Sequence, residues 1–101
     1  MKFCVKVNAQ TKESIITKQL IRSATSIGAN INEANYGISK ADFIVKMQIS
    51  MKEAAESEYW LKLLYKSEYV AEKDVHHLIE MCKELERLLI ATLKTAKSSK
   101  N

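Results

Sequence analysis

The residues with the most chemical potential in this 101-residue chain are three carboxylates, Glu33, Glu53 and Glu56, with Ser26 and Asn30 close by in sequence. Carboxylates on facing helices build di-metal centres, but that chemistry also needs a Glu-x-x-His from each of two helices. Neither Glu53 nor Glu56 is followed by such a histidine. His76 and His77 are adjacent, so on a helix they point to different sides and make a poor ligand pair. Cys4 and Cys82 have no metal-like spacing. The chain also lacks a glycine-rich phosphate loop, a CxxC pair and a nucleophile elbow. The expectation is a protein that is not an enzyme, with no catalytic residue, no metal and no cofactor.

The same residues read better as structure. Gln19, Ser23, Ser26, Asn30 and Glu33 are spaced by fours and threes, which places them on one edge of a helix. Glu53, Glu56 and Trp60 form a comparable edge further on. If the two helices pack antiparallel, Asn30 and Glu33 face Glu53 or Glu56, with Arg22, Lys46 and Tyr59 available as donors or cations. The predicted polar network is Ser26, Asn30, Glu33, Glu53, Glu56 and Tyr59, fixing helix register, with Gly28 as room for close helix approach.

The elements that must carry these residues are long helices, because the chain has no proline and two glycines. Residues 2–10 read as a short helix or an extended arm. A helix is predicted from about Thr11, as N-cap, to Tyr36, with Ile16, Leu20, Ala24, Ile27, Ile31 and Ala34 as its apolar stripe and Gly37 as a left-handed cap. A second begins at Ser39, with Asp42 completing a capping box, and ends near 67–70 without a glycine. Its seam is Phe43, Met47, Ser50, Ala54, Ser57, Leu61 and Leu64, small at the centre. A third runs from about Glu72 to Lys97 on Val75, Leu78, Cys82, Leu85, Leu89, Thr92 and Ala96. The fold class is all-α, an antiparallel up-and-down four-helix bundle with a shortened first helix. Residues 1–97 make one domain and 98–101 a frayed tail. Such a core would leave Trp60, Leu63, Tyr65 and Tyr69 partly uncovered, which marks them as an oligomer interface.

The net charge is +4 and unevenly spread. Residues 1–38 carry five basic and two acidic side chains, 39–71 five of each, and 72–101 six basic and five acidic. That excess permits contact with nucleic acid without demanding it. The candidates are Lys12, Lys18 and Arg22, with Lys94, Lys97 and Lys100 in the tail. No apolar run approaches the roughly 18 residues of a membrane span, and the start MKFCVKVNAQ is no signal peptide, so a cytoplasmic protein with reduced thiols and no membrane partner is expected.

Two motifs in order, QLIRSATSIGANINEA over residues 19–34 and SKADFIVKMQISMKEAAESEYWLKLL over 39–64, resemble a known family. It is the four-helix-bundle family encoded in intervening sequences of bacterial 23S ribosomal RNA genes. The residues that carry the likeness are Gln19, Leu20, Arg22 and Ser23, then Ser26, Ile27, Asn30, Ile31 and Glu33. They continue as Asp42, Phe43 and Ile44, and close on Lys52, Glu53, Glu56, Tyr59, Trp60 and Leu61. The resemblance implies a bundle that assembles as a homopentamer. It is similar to the accessory variability protein of diversity-generating retroelements, which implies a basic surface for RNA or DNA and, alternatively, an adaptor role toward a polypeptide such as a reverse transcriptase. Only about 18 residues precede Gln19 here, which is why the first helix is expected to be shortened or fused to the second.

Overall fold

A computed structural model describes residues 2–11, 14–37 and 39–98, the side chains of 8–11 excepted. It contains four helices: α1 (Lys2–Thr11), α2 (Ile15–Asn35), α3 (Lys40–Lys66) and α4 (Glu72–Ser98). Lys12, Glu13 and Lys100 lie outside the described residues, as do the last three positions of the expected frayed tail.

The long helices follow the apolar periodicity. In α3 the small-centred seam is buried as expected, through Met47, Ser50, Ala54, Ser57, Leu61 and Leu64. Because this seam faces inward along the whole of α3, the helix serves as the spine, with α2 against one flank and α4 against the other. Ser23 meets Ser57 and Ser50 meets Ile27, so α2 runs antiparallel to α3. Leu61 and Leu64 share a cluster with Val75, and Met47 shares one with Leu89 and Leu93, so α4 is antiparallel to α3 as well. Therefore α2 and α4 run in the same direction and stand diagonally across the bundle.

The N-terminal region differs from the sequence expectation. Thr11 ends α1 and does not cap α2; Ser14 stands before α2, its carbonyl accepting from Lys18 N–H at 3.0 Å. A continuous helix from Lys2 would run past the end of α3. Breaking it lets α1 fold back and bury Cys4 and Val7 against Leu20, Leu61, Leu64 and Val75. Burial of two such side chains is worth about 2–4 kcal/mol in transfer terms.

The helix ends have local causes. Ser39 Oγ accepts the Asp42 N–H at 3.1 Å, the expected cap. Gly37 is not left-handed, since no glycine has positive φ. It serves close approach instead: a Cβ there would stand 3.0 Å from Asp42 Oδ2 and 3.2 Å from the Ala34 carbonyl. The end of α3 has no glycine because Glu68 takes the left-handed conformation, at φ 64°. Tyr69 N–H donates to the Leu64 carbonyl and Glu68 N–H to Tyr65, both at 3.0 Å, which is a Schellman motif.

A left-handed non-glycine residue costs roughly 1 kcal/mol. Glu68→Gly is expected to leave the fold intact and raise unfolding stability by about 0.5–1 kcal/mol in urea titration. A loss of stability would show that the Glu68 side chain itself supports the turn.

Candidate functional site

The carboxylates sit between α2 and α3, and their partners follow from the register. Arg22 on α2 reaches across to both Glu53 and Glu56: Nη1 is 3.2 Å from Glu53 Oε2, and Nη2 hydrogen-bonds Glu56 Oε2. Its Nε donates to Gln19 Oε1 at 3.2 Å, and Trp60 Nε1 donates to Glu56 at 3.2 Å. Two carboxylates three residues apart on one helix repel each other. The single guanidinium, with its fork of donors, offsets that repulsion.

The other members of the expected network lie elsewhere. Glu33 pairs with Lys46 at 2.8 Å, one bundle end away from Glu53. Its carboxylate is also why the Lys46 pKa is raised. Asn30 Nδ2 donates within α2, to the Ser26 carbonyl at 2.9 Å and the Ser26 hydroxyl at 3.1 Å. Tyr59 is 56% exposed and contributes its ring, edge-on to Trp60 at 4.9 Å between centroids. The structure thus holds three separate polar groups in place of one network spanning Ser26 to Tyr59. Gly28, expected to admit a neighbouring helix, faces open space: a Cβ there meets nothing within 4 Å.

What fixes the register is a set of buried hydroxyl residues, of which the sequence places Ser50 and Ser57 in the small-centred seam and Ser23 on the polar edge, while Thr17 carries no sequence signal. Thr17, Ser23, Ser50 and Ser57 are buried between the helices. Ser23 Oγ lies 2.8 Å from Ser57 Oγ and donates to the Leu20 carbonyl at 3.2 Å, while Ser50 donates to the Ile27 carbonyl at 3.0 Å. Their small size was legible in the seam; their mutual pairing depended on a register that one helix pattern cannot supply.

A second ionisable group lies between α3 and α4. Glu58 and Glu86 act on each other across the interface, and Lys62 lies 2.5 Å from Glu58. Burial pushes the Glu86 carboxyl up to about 7, and the hydrogen bond and charge of Glu58 push the same way, against Lys62 and Lys83. Burial also acts to raise Glu58, but its bonds from Glu86 and Lys62 outweigh that and lower it. Cys82, beside them, is raised to about 11, first by burial and then by the two glutamates, so its thiol stays protonated. This suits a core side chain and not a nucleophile. Both cysteines are free thiols. Among the described residues no group of three or more His, Cys, Asp or Glu side chains could hold a metal ion, and His76 and His77 are both exposed.

The basic candidates do not converge. Lys18 and Arg22 lie one turn apart near the start of α2, and Arg22 is committed to Glu53 and Glu56. Lys94 and Lys97 are exposed near the end of α4. Since α2 and α4 run in the same direction, these pairs lie toward opposite ends of a molecule 50 Å long. The aromatic candidates also divide. Trp60 and Leu63 are half-buried, whereas Tyr65 and Tyr69 are each 40% exposed. No described helix is long and apolar enough to cross a membrane.

The fold and these contacts define an all-α protein, an antiparallel four-helix bundle held by a polar α2–α3 seam. The chain belongs to the family of 23S rRNA-intervening sequence proteins, whose pattern it matches over residues 1–91. It is similar to a crystal structure of a protein with unknown function from the S23 ribosomal protein family of Bacteroides thetaiotaomicron VPI-5482. The identity is 41% over 92% of this chain and 93% of that one, with a TM-score of 0.84. No curated protein matches the chain.

The pH dependence follows from Glu86. Its native pKa, about 7, stands above its ordinary value of 4.5, so the native state holds a proton that the unfolded chain releases earlier. The stability tied to that proton is present below about 4.5 and is lost as pH rises through about 7. The thermal midpoint is expected to fall between about pH 5 and pH 7, and Glu86→Gln should flatten that slope. An equal slope in the variant would assign the dependence to other groups.

Proposed function

We propose that the protein is a non-enzymatic, self-assembling helical scaffold that carries RNA or DNA on a basic surface. The observation that carries the nucleic-acid part is at the end of α4. From Leu88 to Ser98 the helix has Lys94 and Lys97 and no acidic residue. Among the described residues neither lysine pairs with a carboxylate, and both are exposed. Phosphate oxygens are satisfied by such lysines without base readout. Lys18 adds an exposed cation at the other end, while Arg22 is spent on Glu53 and Glu56 and is a poorer candidate than its charge suggests. Repeating a weak patch around an assembly raises binding through effective concentration, which gives self-assembly a function.

Self-assembly is supported by the apolar side chains left in water, Tyr65 and Tyr69 among them, on a chain too small to cover them. A protein-interaction adaptor is the second reading. It is favoured by the wholly different character of the space between α2 and α4, an apolar groove of about 400 Å³ that offers a phosphate nothing.

Mobility shift with a structured RNA hairpin and a DNA duplex tests the first reading. Binding is expected at low salt, falling steeply as salt rises. Replacing Lys94 and Lys97 together by alanine should lower the salt slope by about 2 per binding protomer. Arg22→Ala should lower stability and leave the slope unchanged. An assembled protein that binds neither probe at low salt leaves the adaptor reading in its place.

A further inference from the structure

Tyr36 stands in water at the turn between α2 and α3. It is 81% exposed, more than any other large apolar side chain among the described residues. Tyr59 leans edge-on against Trp60, but among the described residues no second ring packs on Tyr36. The turn beneath it is firmly held. The Tyr36 and Gly37 N–H groups donate to the Glu33 and Ala34 carbonyls at 3.2 and 3.1 Å. Gly37 then lies against the first turn of α3, where a Cβ would stand 3.0 Å from Asp42 Oδ2, and Ser39 caps that turn. The backbone under the ring is thus fixed from both helices. A tyrosine has only two side-chain torsions, so a fixed backbone presents its ring at little entropic cost.

The surroundings are basic. Because α3 runs antiparallel to both neighbours, the end of α2, the start of α3 and the end of α4 meet at one end of the molecule, where Ala34 shares a buried cluster with Leu89 and Leu93. Among the described residues that end carries Lys40, Lys46, Lys94 and Lys97 against Glu33 and Asp42. Lys46 offsets the two carboxylates: it pairs with Glu33 at 2.8 Å and also feels the charge of Asp42. The surplus positive charge falls to half-buried Lys40 and to exposed Lys94 and Lys97.

A bare aromatic face beside cations suits a ligand that is flat in one part and anionic in another. A nucleotide is both. In a duplex the bases cover one another's faces, whereas an unpaired base has a face to offer. An acidic peptide would satisfy the lysines and leave the ring in water. We propose that Tyr36 is a stacking platform for an unpaired base, on a strand whose phosphates lie on Lys94 and Lys97. This rests on the nucleic-acid reading and adds to it a preference for single strands. The preference is blind to sequence, because every base has a face to stack.

Fluorescence anisotropy of the full chain tests it at low salt, with a labelled oligouridine of about 12 nucleotides and an RNA duplex of the same length. The single strand is expected to bind about tenfold more tightly. Tyr36→Ala should lower single-strand affinity by about tenfold and leave duplex affinity and the salt slope unchanged, since stacking neutralises no phosphate. Tyr36→Phe keeps the ring and should bind as the wild type does. The side chain is mostly exposed, so both variants should keep the wild-type thermal midpoint. A wild-type protein that binds neither RNA overturns the nucleic-acid reading and this inference with it. Single-strand binding that survives Tyr36→Ala, or a loss that is equal for the duplex, overturns this inference alone. So does a loss in Tyr36→Phe as large as in Tyr36→Ala, which would assign the contact to the hydroxyl.

Discussion

The hydroxyl seam between α2 and α3 is the constraint on which the rest of the molecule depends. Ser23, Ser50 and Ser57 replace the large apolar side chains that usually fill a helix interface. Small residues allow close approach, and close approach leaves no room for water to serve a buried hydroxyl. Each hydroxyl must then find a protein partner, and only one longitudinal setting of α2 on α3 supplies them all. Among the described residues no buried side-chain polar atom is left without a hydrogen bond. The surface ion pairs inherit this setting. Arg22 meets Glu53 and Glu56, and Glu33 meets Lys46, because the serines have already placed them. These pairs are partly exposed and contribute less than the seam does.

The seam also sets the shape of the remaining core. With α2 held on one flank of α3 and α4 on the other, the two flanking helices stand apart, and their inner faces need a fourth element. Helix α1 meets that need at one end only. Along the groove between α2 and α4, Met81 and Leu88 of α4 stay more than half exposed. The self-assembly proposed for this chain answers a packing deficit, while the lysines at the end of α4 answer to a separate, electrostatic requirement.

Much of this was legible in the sequence. The stripe of α3 is buried as its spacing predicts, and Ser39 and Glu72 mark two helix starts correctly. The family likeness rested on the same residues that now form the α2–α3 interface. Other features were not legible, for physical reasons. The break after Thr11 carries no proline or glycine; it exists because Cys4 and Val7 are buried only if the chain reverses. The stop of α3 carries no glycine because Glu68 takes a conformation that glycine ordinarily supplies. Asn30 looked like a cross-helix donor because its spacing matches Ser23, yet its amide is satisfied one turn back, at Ser26. Spacing tells which edge a residue occupies; the partner depends on the register, which is a property of two helices together.

A double-mutant cycle on Ser23 and Ser57 tests the central claim most directly. Ser23→Ala, Ser57→Ala and the double variant would each be unfolded in urea. If the 2.8 Å hydroxyl pair holds the register, the two changes are coupled by about 1 kcal/mol, and the double variant loses less than the sum of the singles. Strict additivity, with no coupling, would mean that the serines fill space without joining the helices, and that the register is set elsewhere.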